Sequence, residues 1–178
     1  MKENKEIITG KIIEAEADAK ESEEHIATGY LKISFNNLLI DVFVPDWRSY
    51  FPYPKKSGYS KKYGLGNELL RNLKGKKIKF TLKFVDYPIY TKILLTKEIG
   101  ISLPNSANET VLKGKIVKLE KCENFPEKEV CYVDCGFYIF NILVEEKKFK
   151  VNDSIQMKGR LDIFIREIVE DIWMMSQY

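Results

Sequence analysis

The sequence predicts an all-β protein built as two copies of one small domain. Three observations carry that reading. The first is strict alternation between Ser154 and Ile163, where Ile155, Met157, Leu161 and Ile163 share one parity with Gly159, and Gln156, Lys158, Arg160 and Asp162 take the other. This is a strand with one buried face. The second is an earlier unit of the same form, in which Leu73-Lys74-Gly75 leads into Ile78, Phe80, Leu82 and Phe84 alternating with Lys77, Lys79, Thr81 and Lys83. The third is Gly10-Lys11-Ile12, with Glu16 beyond it, matched by Gly114-Lys115-Ile116 and Glu120 at the same spacing.

Taken in order, Ile7 to Glu16 opens the first copy as a strand, and its early glycine marks a bulge or a sharp bend. The polar stretch Ala17 to Glu24 is a loop. Ile26 to Phe35 and Leu38 to Val44 then form a hairpin around Asn36-Asn37, residues that tolerate left-handed backbone. Pro45 to Gly75 is an insertion ending in a short helix, with Asn67 as its N-cap, Leu69, Leu70 and Leu73 as its apolar stripe and Gly75 at its C-terminal cap. The turn-led strand from Lys77 follows, and Ile89 to Ile99 supplies a fifth. With Pro104 and Asn105, the segment 100–109 reads as a linker between a first domain, 1–99, and a second, 110–178.

The second copy repeats the order. Val111 to Glu120 is its first strand, Lys121 to Glu129 a loop, and Val130 to Asp134 and Phe137 to Val144 a hairpin around Cys135-Gly136. Tyr30 and Tyr132 fall in similar places. Val151-Asn152-Asp153 provides the turn before Ser154. Beyond it, Ile165, Ile168, Val169, Ile172 and Trp173 recur at helical spacing, so the C-terminus reads equally as a terminal amphipathic helix or as a fifth strand.

Composition bounds the function. The chain has 178 residues, 44% of them hydrophobic and 31% charged, as in an ordinary soluble globular protein. Its net charge of +3 is too small to imply a polyanionic partner, so distribution matters more than the sum. No apolar run approaches the roughly 20 residues of a membrane helix. The polar start, Met1 to Glu6, leads into no secretory core, and the expected compartment is the cytoplasm. Cys122, Cys131 and Cys135 contain no C-x-x-C pair, and they are expected as small buried hydrophobes, with a Cys122–Cys131 pair across the hairpin as the alternative.

Five short strands, a helix between the third and fourth, an early Gly-Lys-Ile strand and a turn-led fourth strand resemble the oligonucleotide/oligosaccharide-binding (OB) fold. Tandem copies resemble single-stranded nucleic-acid binding proteins of the replication protein A type. The resemblance implies two five-stranded barrels, each with a concave strand face and flanking loops able to hold a nucleic-acid strand, a sugar or a peptide.

Chemistry concentrates in the insertion. Between Pro45 and Gly75, seven cations against two anions give about +5. Arg48, Lys55, Lys56, Lys61 and Lys62 interleave with Trp47, Tyr50, Phe51, Tyr53, Tyr59 and Tyr63. Single-stranded nucleic acid needs this combination: cations that replace condensed counterions, and flat rings on which bases stack. The expected function is non-catalytic binding of single-stranded DNA or RNA, with Trp47, Tyr50, Tyr53, Tyr59 and Tyr63 as platforms and the five cations as phosphate contacts. Against it, six carboxylates and one lysine between Glu14 and Glu24 make the first loop acidic, about −5. The alternative is a protein-interaction or assembly module anchored by the same rings or by the C-terminal segment. His25 has no metal-ligand spacing, nothing pairs Asp41, Asp46, Asp86 or Asp134, and no phosphate loop or nucleophile elbow occurs. Neither an enzyme nor a cofactor is expected.

Overall fold

In the computed structural model the chain is described over residues 6–17, 28–45, 66–86, 100–102 and 110–169. These residues form strands β1 (Ile8–Ala17), β2 (Gly29–Phe35) and β3 (Leu38–Val44), a short helix α1 (Gly66–Asn72), then β4 (Lys77–Asp86), β5 (Gly100–Ser102), β6 (Thr110–Lys121), β7 (Lys128–Asp134), β8 (Ile139–Glu145) and β9 (Ser154–Val169). The protein is mostly β, as expected, with a closed five-stranded barrel of OB-like form. No described helix is long and apolar enough to cross a membrane.

Backbone contacts divide the chain into two units whose bounds differ from 1–99 and 110–178. One is Ile7–Thr81 together with the chain from Asp162, and the other is built on Leu82–Leu161. β4 and β9 therefore each serve both units, changing at Thr81/Leu82 and at Leu161/Asp162. Of the expected linker, Gly100–Ser102 is instead a strand paired to Lys113–Val111 of β6, and 103–109 lie outside the described residues.

The first unit is the closed barrel. Alternation in β2 and β3 sends Leu31, Ile33, Phe35, Ile40, Val42 and Val44 inward, all nearly inaccessible. Asn36 and Asn37 turn the hairpin with φ of 46° and 62°, the left-handed pair that a tight two-residue turn requires. β1 bonds β4 over Ile8–Lys11 and β2 from Lys11 onward, so it changes partner at the Gly-Lys-Ile motif. A bulge between Ile12 and Glu14 bends it there. The ring then runs β1-β2-β3-β9-β4 and back to β1, with the parallel pair Phe43 and Asp162 joining β3 to β9.

The fifth strand thus comes from the far end of the chain, while the expected strand Ile89 to Ile99 lies outside the described residues. β9 also decides the C-terminal ambiguity as far as Val169: it is strand, not helix. Five consecutive residues, Leu161 to Ile165, are buried in it, and a strand buried on both faces loses the alternation by which it would be recognised. Residues 170–178 lie outside the described residues.

Helix α1 buries Leu69 and Leu70, and the turn that follows it buries Leu73, as the stripe predicts. A Cβ on Gly29 would stand 2.3 Å from Leu70 Cδ2 and 2.3 Å from the Glu16 carbonyl, so only glycine admits the helix at that barrel end. Gly75, expected to cap α1, does something else. Its N–H donates to the Ile12 carbonyl at 2.7 Å, and Ile12 N–H donates to the Lys76 carbonyl at 2.9 Å, which pins the turn to the bulge of β1. Gly75 holds a φ of +81° with nothing within 4 Å of a would-be Cβ, so substitution costs backbone strain alone. Gly75→Ala should lower stability by about 1–2 kcal/mol and Gly75→Asn by less, read as shifts in the urea midpoint. Equal shifts for the two would contradict this account.

The second unit carries the same device. β6 pairs with Ser154–Gly159 of β9 over Thr110–Lys115 and with β7 from Lys115 onward, with a bulge between Ile116 and Lys118. Ile116 N–H donates to the Asp153 carbonyl at 2.9 Å and Asn152 N–H to the Ile116 carbonyl at 2.8 Å, and Asn152 takes the left-handed φ, 78°, that Gly75 takes. The registers correct one expected match. Lys32 faces Glu14 and Tyr132 faces Lys118, so, counted from Lys11 and Lys115, Tyr132 answers to Lys32 rather than to Tyr30.

Cys122, Cys131 and Cys135 are free thiols, so the Cys122–Cys131 pairing does not occur. Burial, reinforced by nearby carboxylates, pushes Cys131 and Cys135 up to about 12. At pH ~8 a thiol reagent should titrate one rapid group, Cys122, and reach the other two only when the protein unfolds, because the thiolate is the reactive form. Three rapid groups under native conditions would contradict the packing.

Candidate nucleic-acid interface

The outer face of β1, β2 and β3 in the closed barrel is an ordered lattice of side chains. Strand register sets three rows across it: Glu16, Tyr30 and Phe43; Glu14, Lys32 and Asp41; Lys11, Ser34 and Leu39. The inward residues of the same strands are packed in the core, so the alternation that builds the barrel also fixes these rows outward.

Tyr30 and Phe43 are directly opposite, half-buried, with ring centroids 5.3 Å apart and planes at 53°. Such tilted pairs add about 0.5–1.5 kcal/mol beyond area burial. Their placement carries a second meaning, because the pair stands on the outer, period-two face of the barrel and not in its core. Lys32 lies in the next row and shares its ammonium with Glu14 at 3.5 Å, Asp41 being its cross-strand neighbour. The face therefore holds aromatic surface with nearly balanced charge. On its own it suits bases or apolar side chains better than phosphates.

None of the expected contacts can be placed on this face: Trp47, Arg48, Tyr50, Tyr53, Lys55, Lys56, Tyr59, Lys61, Lys62 and Tyr63 lie outside the described residues. So do His25 and most of the acidic loop, 18–27. What the fold fixes is where the insertion begins. It leaves β3 two residues beyond Phe43, and α1 returns it to the barrel end at Gly29, next to Tyr30. Both roots of the basic, aromatic segment therefore adjoin the row of the ring pair.

Phe43 is the residue that sequence reasoning missed. Its signal was present: in Leu39-Ile40-Asp41-Val42-Phe43 the ring takes the polar parity, with Leu39 and Asp41, and not the core parity of Ile40 and Val42.

In the second unit the corresponding face is tied to itself. Tyr132 donates its hydroxyl to Glu120 Oε2 at 2.7 Å, and Lys118 bonds Glu120 while lying 5.4 Å from the Tyr132 ring centre. Desolvation first, then the bond to Glu120, raises the Tyr132 phenol above its ordinary range. Among the described residues no cluster of His, Cys, Asp or Glu is disposed to hold a metal ion. No family model matches the chain, and no curated protein matches it either.

Proposed function

We propose that the chain is a non-catalytic binder of single-stranded DNA or RNA, made of two OB-like modules in the manner of the replication protein A type. The observation that supports it most directly is the Tyr30–Phe43 ring pair on the outer face of a closed five-stranded barrel, at the root of an insertion bearing about +5 and six rings. OB barrels take ligands on the outer face of their second and third strands. Rings there would stack bases, and the insertion's cations would neutralise the backbone alongside. The repeated bulge-and-turn device at Ile12 and Ile116 supports the reading of a second module.

The test is a titration with a single-stranded thymidine oligonucleotide, following Trp47 fluorescence in a Trp173→Phe background. Quenching is expected, with affinity falling steeply as salt rises. Tyr30→Ala with Phe43→Ala should cost about 1–3 kcal/mol for each base unstacked. Absence of any quenching at low salt would refute the proposal.

One observation favours a protein partner instead: Leu39 stands 42% exposed on the same face, and Glu14, Glu16 and Asp41 surround the rings. On that reading the rings anchor an apolar side chain and the carboxylates meet a basic partner surface. Self-association, or a co-purifying partner lost on Phe43→Ala, would then accompany the failed titration.

A further inference from the structure

We infer that the wall of the first barrel formed by β1 and the start of β4 is a second contact surface for the same ligand, one that follows its phosphodiester backbone. The inference rests on the nucleic-acid reading above but places the phosphates away from the rings. Register puts Lys11 directly opposite Lys77, and Thr9 opposite Lys79. Like charges directly opposite on neighbouring strands repel, and a barrel under selection for stability alone would place a carboxylate at one of the two positions. Lys11 and Lys77 are exposed, and among the described residues neither forms an ion pair.

The inward residues Ile78 and Phe80 are fully buried, so the outward lysines of β4 are held at a fixed repeat of about 6.6–6.8 Å, two strand residues. Next to them on β9, Arg166 donates through Nε to Thr81 Oγ1 at 3.2 Å, which orients its guanidinium across the same wall. An opposing carboxylate among the described residues, Glu167, lies 3.5 Å from Lys79. Among the described residues, the stretch where β1 pairs β4 and the adjoining part of β9 thus bring Lys11, Lys77, Lys79 and Arg166 together with Glu167, while Glu14 and Glu16 lie further along β1, beside β2.

The occupant follows from charge and continuity. Lys11 belongs to both surfaces, since it opposes Lys77 on one side and Ser34 on the other. A strand crossing β4, β1, β2 and β3 would meet Lys79, Lys77 and Lys11 before reaching Tyr30 and Phe43. Phosphates would be met first and bases second. An acidic protein would use the cations but not this continuity.

The deciding experiment is fluorescence anisotropy of a labelled fifteen-nucleotide thymidine strand over a salt series, using the full chain. Variant Lys11→Gln/Lys77→Gln/Lys79→Gln should bind about a hundredfold more weakly at ~50 mM salt, and its log–log salt slope should be shallower by about 2, at roughly 0.7 for each phosphate no longer neutralised. It should melt no lower than the parent, because the Lys11–Lys77 repulsion is gone. Lys11→Arg/Lys77→Arg/Lys79→Arg should keep both affinity and slope. Tyr30→Ala/Phe43→Ala should weaken binding with the slope unchanged.

A glutamine variant whose slope matches that of a control with equal charge removed from the second unit, Lys121→Gln/Lys148→Gln/Lys150→Gln, overturns the inference and leaves the nucleic-acid reading standing. Displacement of the oligonucleotide by poly-L-glutamate as effective as that by unlabelled strand also overturns it, in favour of an acidic protein. A parent chain that binds no strand at ~50 mM salt overturns both.

Discussion

A chain ending at Leu161 should lose the first barrel altogether, although the residues removed lie more than eighty positions from the rest of that unit. Asp162–Val169 of β9 stands between β3 and β4 and closes the ring. It buries Ile163, Phe164, Ile165 and Ile168, each 8% exposed or less. At about 1.5–3 kcal/mol for each large apolar side chain, their loss amounts to about 6–12 kcal/mol, comparable to the whole stability of an ordinary domain. Two sheet edges, on β3 and β4, would also lose a bonded neighbour. The shortened chain should therefore show no cooperative thermal transition for residues 7–81 by circular dichroism and amide exchange. A peptide of residues 154–178 added in trans should restore that transition in part. Cutting the chain within 103–109 should likewise give two fragments that fold together and not apart. A chain ending at Leu161 that melts as the parent does would refute the closure.

Phe80→Ala should cost about 3–5 kcal/mol, the range for removing a large ring from a core that cannot collapse around the gap. Phe80 is fully buried, meets Phe35 edge-on at 5.7 Å with planes at 78°, and lies under Gly10, where an added Cβ would stand 3.0 Å from Phe80 Cε1. Its neighbours sit on strands tied into a closed ring, so they have little freedom to move inward. Urea unfolding should show a lowered midpoint with the slope unchanged. A loss under about 1.5 kcal/mol would mean that the barrel can contract, contrary to a closed ring of fixed register.

Much of this architecture is written locally in the residues. The alternation of β4 and of the start of β9, the Asn36-Asn37 turn, the leucine stripe of α1 and the paired Gly-Lys-Ile motifs all report interactions within a few positions of one another. The motif proved to mark the point where β1 and β6 each change partners, which is why its glycines, lysines and isoleucines recur together. Other readings needed more than local information. Gly75 looks like a helix cap from its place after Leu73, but its N–H goes to Ile12, sixty-three positions earlier. The parity of Phe43 marks it as outward, but that its ring lies against Tyr30 follows only once β2 is laid beside β3. The Lys11–Lys77 pair is invisible in the sequence because β4 meets β1 only after the insertion has been crossed.

From its sequence the chain could be read as all-β, as duplicated in motif, as carrying one basic aromatic excursion and as lacking the signatures of catalysis. Period, turn chemistry and composition are properties of neighbouring residues. Which strands close the barrel, and which charges and rings come to share a wall, was decided only in the tertiary structure. A strand states through its alternation which face it buries, but its edges carry the same N–H and C=O groups everywhere, so its partners are chosen by the packing of the whole chain.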